Sequence, residues 1–275
     1  MKLGVKRILK RLENILIEAC NSDEVKSVII IGSATRPEDY IEGLSDIGVI
    51  LLTSSKDKER AKRIWWKLIS VPNVTATIIS QDTLADMCAK GDPLCILIAK
   101  DSITICGEEY VERIFRSYKP KVTDKTLQVL KQQAITSLSL ALTSFFTNDN
   151  LMALNHAYHA LRYAIRFKSL EKGYGMPISD RQVIEMCAVL GLRDICWTYQ
   201  ALIEYRRQRT KLKLWQLDIV CKAIEYLIRE RIPPASNIYV RIRNLGTPIG
   251  IIKYEGGSWR IELMKNGKRM SLTVS

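Results

Sequence analysis

The stretch covering residues 28–52 constrains this 275-residue chain most, because two short apolar runs there flank a Gly-Ser turn and a loop. Residues 28–31 and 47–52 have the β-branched composition of strands. Between them, Gly32 and Ser33 form a turn whose backbone N–H groups can approach a phosphate, since glycine carries no Cβ. Asp46 opens the second run. The stretch predicts a strand, a phosphate-compatible turn, a loop and a second strand.

A Gly-Ser turn followed about a dozen residues later by an acid at the start of a strand resembles the signature of the nucleotidyltransferase superfamily, which has the polymerase-β-like fold. The resemblance implies that Gly32 and Ser33 hold a nucleoside triphosphate. It also implies that Asp46 is a catalytic carboxylate that coordinates Mg²⁺. The competing interpretation is an ordinary turn followed by a strand-edge aspartate.

The chain departs from the family pattern at the other two acidic positions. Gly48 stands two residues after Asp46, where the family has its second carboxylate, and the strand predicted at 74–79 carries Thr75 and Thr77 in place of an acid. One carboxylate of three holds hard divalent cations poorly. The resemblance therefore implies triphosphate binding with weak or lost nucleotidyl transfer. Asp39 and Glu42, in the loop, are candidates for a second carboxylate.

The flanking pattern extends the resemblance over residues 1–118, which we predict to be an α/β domain with a mixed sheet. Apolar residues at helical spacing predict a helix over 4–20, and a second helix is predicted over 57–70. The segment 81–109 predicts a helix, a Gly-Asp-Pro break, another helix and a strand. A linker is expected at residues 118–124.

Residues 124–232 are predicted to form an antiparallel bundle of about five helices. The segment 155–166, with a Gly-rich turn and a new helix after it, resembles HEPN-type bundles. Some HEPN domains are ribonucleases with an Arg followed shortly by a His; here no histidine follows Arg206 and Arg207, so that signature is missing. His156 and His159 lie upstream and are expected to have core or capping roles rather than to bind metal.

The tail, residues 236–275, alternates like a basic antiparallel sheet. Strands are predicted at 238–242, 249–254, 259–263 and 270–274, with a hairpin turn at Asn266-Gly267. Seven basic residues against two acidic ones make its net charge +5. Three roles stay open for this extension: a nucleic-acid platform, a lid over the bundle, or a dimer contact.

The formal net charge of +13 favours a polyanionic partner, although a basic protein without one remains an alternative. Tyr205 and Trp215 flank the densest basic cluster and could stack on bases. The second hypothesis is therefore a non-catalytic module that binds RNA or a ribonucleoprotein, and a third is a regulatory protein whose bundle recognises another protein. The candidate nucleic-acid-binding residues are Arg206, Arg207, Arg209, Lys211, Lys213, Arg241, Arg243 and Trp259.

Seven scattered cysteines without a C-x-x-C pair, and no secretory signal, predict reduced core thiols in a cytoplasmic protein. No apolar run is long enough for a membrane span. A composition rich in Ile, Lys, Arg and Glu leans towards a thermophilic source.

Overall fold

The computed structural model describes residues 3–243, 249–265 and 268–275, with the backbone alone for 3–9 and 264–265. The chain divides into two compact units. Unit 1 comprises Met1–Thr126 with Ile178–Asp180, and unit 2 comprises Leu127–Pro177 with Arg181–Ser275. The described residues form eleven α-helices, a mixed four-stranded sheet and a three-stranded antiparallel sheet.

The elements of unit 1 follow the predicted order up to the last strand, and the helix that follows this strand is not predicted from the sequence. They are α1 (Leu3–Cys20), β1 (Val25–Ile31), a 3₁₀ turn (Gly32–Thr35), β2 (Ile47–Thr53), α2 (Lys62–Ile69), β3 (Val74–Ser80), α3 (Gln81–Lys90), α4 (Pro93–Lys100), β4 (Ser102–Cys106) and α5 (Glu108–Ser117). The Gly-Asp-Pro break ends α3 at Gly91 and starts α4, because Asp92 accepts a hydrogen bond from the Leu94 N–H and Pro93 takes the first helical position. Helix α2 is shorter than predicted at its N-terminal end.

The strands lie in the order β3-β2-β1-β4, with β2 and β3 parallel and the other neighbours antiparallel. Alternating residues of β1 and β2 bury opposite faces of the sheet. One face packs Val28, Ile30, Val49 and Leu51 with α1 and α2. The other packs Ile29, Ile50 and Leu52 with α3, α4 and α5. Strands buried on both faces explain the nearly continuous apolar runs in the sequence.

Unit 2 consists of helices followed by a small sheet. The helices are α6 (Asp124–Phe146), α7 (Asn150–Glu171), α8 (Asp180–Val189), α9 (Arg193–Gln208), α10 (Leu214–Ile228) and α11 (Ala235–Ile242), and the strands are β5 (Ile249–Glu255), β6 (Ser258–Lys265) and β7 (Lys268–Val274). The five helices α6 to α10 confirm the helical prediction for this region. Helix α7 is central and is buried almost throughout residues 153–170.

The prediction of a strand at 238–242 is wrong, because these residues lie in α11. Its β-branched composition suggests a strand, but Ala235 and Ile238 are one helical turn apart and both are buried. Asp218 accepts a hydrogen bond from the Ser236 N–H at 2.9 Å, which satisfies a donor in the first turn of the helix. Asn244-Leu245-Gly246 and the Asn266-Gly267 turn lie outside the described residues.

The C-terminal sheet packs against helices of its own unit. The Trp259 indole N–H donates to the Pro233 carbonyl at 2.7 Å, and the Ile252 N–H donates to Thr143 Oγ1 in α6 at 2.9 Å. Ile252, Trp259 and Ile261 bury one face of the sheet. The opposite face is polar, so the sheet forms a cover on the bundle.

Four of the seven cysteines form disulfides, so the prediction that all are reduced is wrong. Cys20 pairs with Cys106 at a Cα–Cα distance of 5.9 Å, and Cys88 pairs with Cys95 at 5.4 Å. The first pair is 86 residues apart in sequence, and only the packing of α1 beside β4 brings the two together. Among the residues described, no helix is long and apolar enough to cross a membrane.

Candidate nucleotide-binding site

The Gly32–Thr35 turn leaves an open approach to its backbone. Ile31 is extended, with φ −131° and ψ 169°, and Gly32 then adopts a φ of +86°. A Cβ added to Gly32 would meet nothing within 4 Å, and the residue is exposed. Ser33 is half-buried beside it. The turn therefore presents backbone to solvent without a side chain in front of it, which is the arrangement a phosphate needs.

A polar network fixes this turn from behind. Thr35 Oγ1 lies 2.7 Å from the Gly32 carbonyl and 2.9 Å from Asp101 Oδ1. The Arg36 guanidinium donates to Asp39 Oδ2 at 2.8 Å and is also paired with Asp101, with all three side chains largely buried. Sequence reasoning misses Asp101, because it lies 66 residues after Thr35 and no motif marks it.

Asp46 lies at the end of β2 nearest the turn, as predicted. It directly precedes β2, and its side chain is exposed. Neighbouring protein atoms still desolvate the carboxyl group, and this raises the pKa of Asp46 above its ordinary value. A carboxylate that is less well solvated gains more from a nearby cation.

Gly48 is packed against the end of β1, so position 48 lacks an acid and also lacks the space for a larger side chain. Ile31 pairs with Gly48 in the antiparallel register. A Cβ at Gly48 would lie 2.8 Å from Ile31 Cγ1 and 3.3 Å from the Ile31 carbonyl oxygen. An aspartate at this position would require the isoleucine to move. An apolar side chain thus occupies the space beside position 48.

The third strand adds hydroxyl groups to the same face. Thr75 pairs with Gly48, and Thr77 pairs with Ile50, so both threonines share the face of the sheet that carries Gly48. Both are exposed. Thr75 therefore lies beside Gly48 on this face, and Thr77 lies two positions farther along β3.

The two loop acids differ in burial. Asp39 is buried, is paired with Arg36 and accepts a hydrogen bond from the Asp180 N–H at 3.1 Å. Its oxygens are therefore committed to protein donors, and Asp39 does not suit the role of a second metal ligand. Glu42 is exposed.

The donor set around Asp46 fits one magnesium ion at most. Mg²⁺ in proteins is commonly held by one or two carboxylates together with substrate phosphates and water. Asp46 supplies one carboxylate, the smallest number in that range. No group of three or more His, Cys, Asp or Glu residues that could hold a metal occurs in the part of the chain that the structure describes.

Arg206 does not belong to the basic surface. It is 2 % exposed, its Nε donates to Asn155 Oδ1 at 3.1 Å, and its guanidinium carbon lies 3.8 Å from the centre of the Tyr158 ring. Helical periodicity explains this, because position 206 falls on the buried face of α9 with Leu202 and Ile203. The other members of the cluster are exposed: Arg207, Arg209, Lys211 and Lys213.

Trp259 is also removed from the candidate nucleic-acid surface. It is fully buried, and its indole N–H bonds to the Pro233 carbonyl. Arg241 and Arg243 are exposed at the end of α11.

His159 is partly buried among cationic side chains on α7 and α9. Desolvation, together with the charges of Arg206, Arg162, His156 and Arg166, lowers the pKa of His159 well below its ordinary value. Desolvation also lowers the pKa of His156. Both environments therefore favour the neutral imidazole over the protonated form.

Comparison with known proteins gives weak structural likenesses. No protein-family model matches the chain, and no curated protein matches it. A spectinomycin adenyltransferase from Enterococcus faecialis, solved with ATP and spectinomycin, is 11 % identical, with a TM-score of 0.49 over 82 % of this chain and 98 % of that one. A nucleotidyltransferase-like protein from Exiguobacterium sibiricum 255-15 is 13 % identical, with a TM-score of 0.33 over 86 % of this chain and 77 % of that one. These structural neighbours are nucleotidyltransferases. No residue role is transferred from them, and the HEPN-like character of the bundle stays a prediction.

Proposed function

We propose that this chain binds a nucleoside triphosphate at the Gly32–Thr35 turn and has weak or no metal-dependent nucleotidyl transfer. The turn amides and Ser33 would hold the terminal phosphates, and Asp46 would share one magnesium ion with them. That ion would neutralise charge on the reacting phosphate. Thr35, Arg36 and Asp101 would keep the turn in shape.

The main support for this proposal is the packing of Gly48 on Ile31. A two-metal site needs carboxylates at both positions 46 and 48, and here the second position has neither the acid nor the room for one. The turn itself is open, with Gly32 exposed and its Cβ direction empty. Phosphate binding therefore has structural support, whereas a two-metal reaction does not.

Calorimetry tests the proposal on protein stripped of nucleic acid with high salt. ATP is titrated with and without magnesium into the native chain, Asp46→Ala and Asp86→Ala. Asp86 is the matched control, because it is an exposed acid of unit 1 on α3. We expect magnesium-dependent binding that Asp46→Ala abolishes and Asp86→Ala retains. Absence of binding to the native chain would remove the proposal.

A glycine substitution tests the turn separately from the metal. Gly32→Ala introduces a methyl group into the open approach, leaves Asp46 unchanged, and should weaken ATP binding at saturating magnesium. Gly173→Ala is the matched control, because Gly173 has a φ of +80° and, like Gly32, nothing within 4 Å of an added Cβ. Equal loss of affinity in both variants would indicate general destabilisation and would count against the turn as the phosphate site.

A second candidate function is RNA binding, favoured by the exposed basic residues from the end of α9 into the loop before α10. Arg207, Arg209, Lys211 and Lys213 fall within seven positions and are exposed. Removing one side chain that binds a phosphate should reduce the slope of log affinity against log salt by about 0.7 for a single strand. Anisotropy of a labelled single-stranded RNA tests this with Lys211→Glu and Lys213→Glu. Lys253→Glu, on the C-terminal sheet, is the control, and an unchanged salt slope in the loop variants would refute the candidate.

A further inference from the structure

Helix α10 carries a stripe of large side chains that its own unit leaves exposed. Trp215, Ile219 and Tyr226 are 56 %, 43 % and 63 % exposed, and Lys222 lies between the last two. The spacing i, i+4, i+7 and i+11 places all four side chains on one face. Helix α10 is about 22 Å long, so this stripe runs along most of it. Exposed aromatic stripes of this kind mark interaction sites.

Hollows flank the C-terminal half of the stripe. One, of about 450 Å³, lies between the start of α9 and α10 and is lined by Leu192, Ile195, Thr198, Ile219, Ala223 and Tyr226, among others. A second, of about 590 Å³, lies on the other side of Lys222 and Tyr226. The exposed Trp215 stands at the opposite end of the helix. One face therefore carries both a protruding indole and recesses large enough to receive one.

We propose that this face of α10 binds the same face of a second copy of the chain, with the two helices antiparallel. A two-fold axis midway between residues 220 and 221 sets Trp215 opposite Tyr226 of the second copy, beside its hollows. The same axis sets Ile219 opposite Lys222. A two-fold interface must be self-complementary, and this face has a protrusion and a recess at opposite ends of one helix.

The charges on α10 agree with this antiparallel arrangement. Lys222 of each copy would lie next to Asp218 of the other. Asp218 uses Oδ1 for the Ser236 N–H, so Oδ2 can accept from a lysine. A parallel arrangement would set Lys222 against Lys222 and Trp215 against Trp215, with the hollows unfilled. Charge complementarity thus selects the second copy in one orientation.

The proposal is independent of nucleotide binding, and sedimentation velocity with light scattering over a wide concentration range tests it. The native chain should be a dimer. Trp215→Ala should weaken self-association by at least about 30-fold, as expected for an aromatic side chain that fills a recess of its partner. The matched control is Trp66→Ala, because Trp66 in unit 1 is equally exposed at 60 %. A native chain that is monomeric at all concentrations would overturn the proposal.

A charge-swap mixture tests the orientation. Lys222→Glu and Asp218→Lys should each be monomeric, because each homodimer would contain two like-charge pairs. Mixed together, they should form a heterodimer, because both pairs become opposite in charge. Circular dichroism checks that Asp218→Lys is folded. If it is not, the interface is tested with single variants instead: Lys222→Glu and Trp215→Lys should each be monomeric, whereas Trp66→Lys should remain a dimer.

The competing occupant of this face is RNA. If Trp215→Ala lowers RNA affinity while the mass of the protein stays that of a monomer, the stripe is a base-stacking surface and the dimer is excluded. A folded pair of charge variants that stays monomeric on mixing would also refute the antiparallel arrangement.

Discussion

At the scale of single residues, the candidate site departs from the sequence pattern of nucleotidyltransferases at position 48, and this departure is coupled to the neighbouring Ile31. Gly48 removes a carboxylate, and Ile31 occupies the space beside it. The two residues are cross-strand neighbours, so a change at one alters the cost of a change at the other.

We expect Gly48→Ala to lower the free energy of unfolding by about 1–3 kcal/mol, because its Cβ would overlap with Ile31. In an Ile31→Ala background the same substitution should be neutral or slightly stabilising, since the obstructing side chain is gone. Urea unfolding of the four proteins in this double-mutant cycle measures the coupling. Additive effects would show that Gly48 is not held by Ile31.

His159 gives a second prediction for a single residue. Because the pKa of His159 is lowered in the folded chain, the unfolded chain binds a proton that the folded chain does not as pH falls through about 6.5. The contribution of the neutral His159 to the free energy of unfolding is present above that pH and is lost below it. The free energy of unfolding should therefore fall by at most about 1.4 kcal/mol per pH unit because of this group. His159→Gln should flatten the stability profile in this range. His156→Gln, where the pKa is lowered less, should flatten it less, and identical profiles for native and His159→Gln proteins would contradict the assignment.

Among helices and strands, packing decides which aromatic residues are available to partners. Trp215 and Trp259 have similar sequence surroundings, each near basic residues. Trp259 lies in β6 and is fully buried on the inner face of the C-terminal sheet, whereas Trp215 is exposed on α10. Between them, the sequence predicts a strand at 238–242, where α11 lies instead.

Trp259 should therefore act as a structural residue. Trp259→Phe removes the hydrogen bond to the Pro233 carbonyl and part of the buried surface, so we expect a loss of about 2 kcal/mol in the free energy of unfolding. RNA affinity should be unchanged. Chemical denaturation and RNA anisotropy of the same variant give both readouts, and a stable variant with weakened RNA binding would contradict this role.

In the molecule as a whole, the disulfide between Cys20 and Cys106 connects the first helix to the last strand of the mixed sheet. It spans 86 residues, so loop-closure entropy gives it the larger contribution of the two disulfides. The free cysteines Cys187 and Cys221 are buried, and burial raises the pKa of Cys187 to about 12.

We expect Cys20→Ser with Cys106→Ser to lower stability by up to about 4.5 kcal/mol under oxidising conditions. Reductant should lower the stability of the native chain by more than that of the double variant, which keeps the Cys88–Cys95 disulfide. Thermal unfolding with and without reductant measures this, and Cys187→Ser is the control. A native chain that is insensitive to reductant, with free thiols confirmed by alkylation, would show that the bond does not form.

Local sequence was sufficient to predict the helices and strands with strong periodicity, the Gly-Ser turn, Asp46 and the absence of acids at positions 48, 75 and 77. These features are local, because period and turn chemistry act over a few residues. Other features depend on long-range packing. Packing brings Asp101 to the turn and Ile31 into the space at Gly48. It also buries Arg206 and Trp259 and pairs four cysteines. Each of these depends on residues distant in sequence coming together. Local propensity does not contain that information, and in α11 burial overrode a β-branched composition.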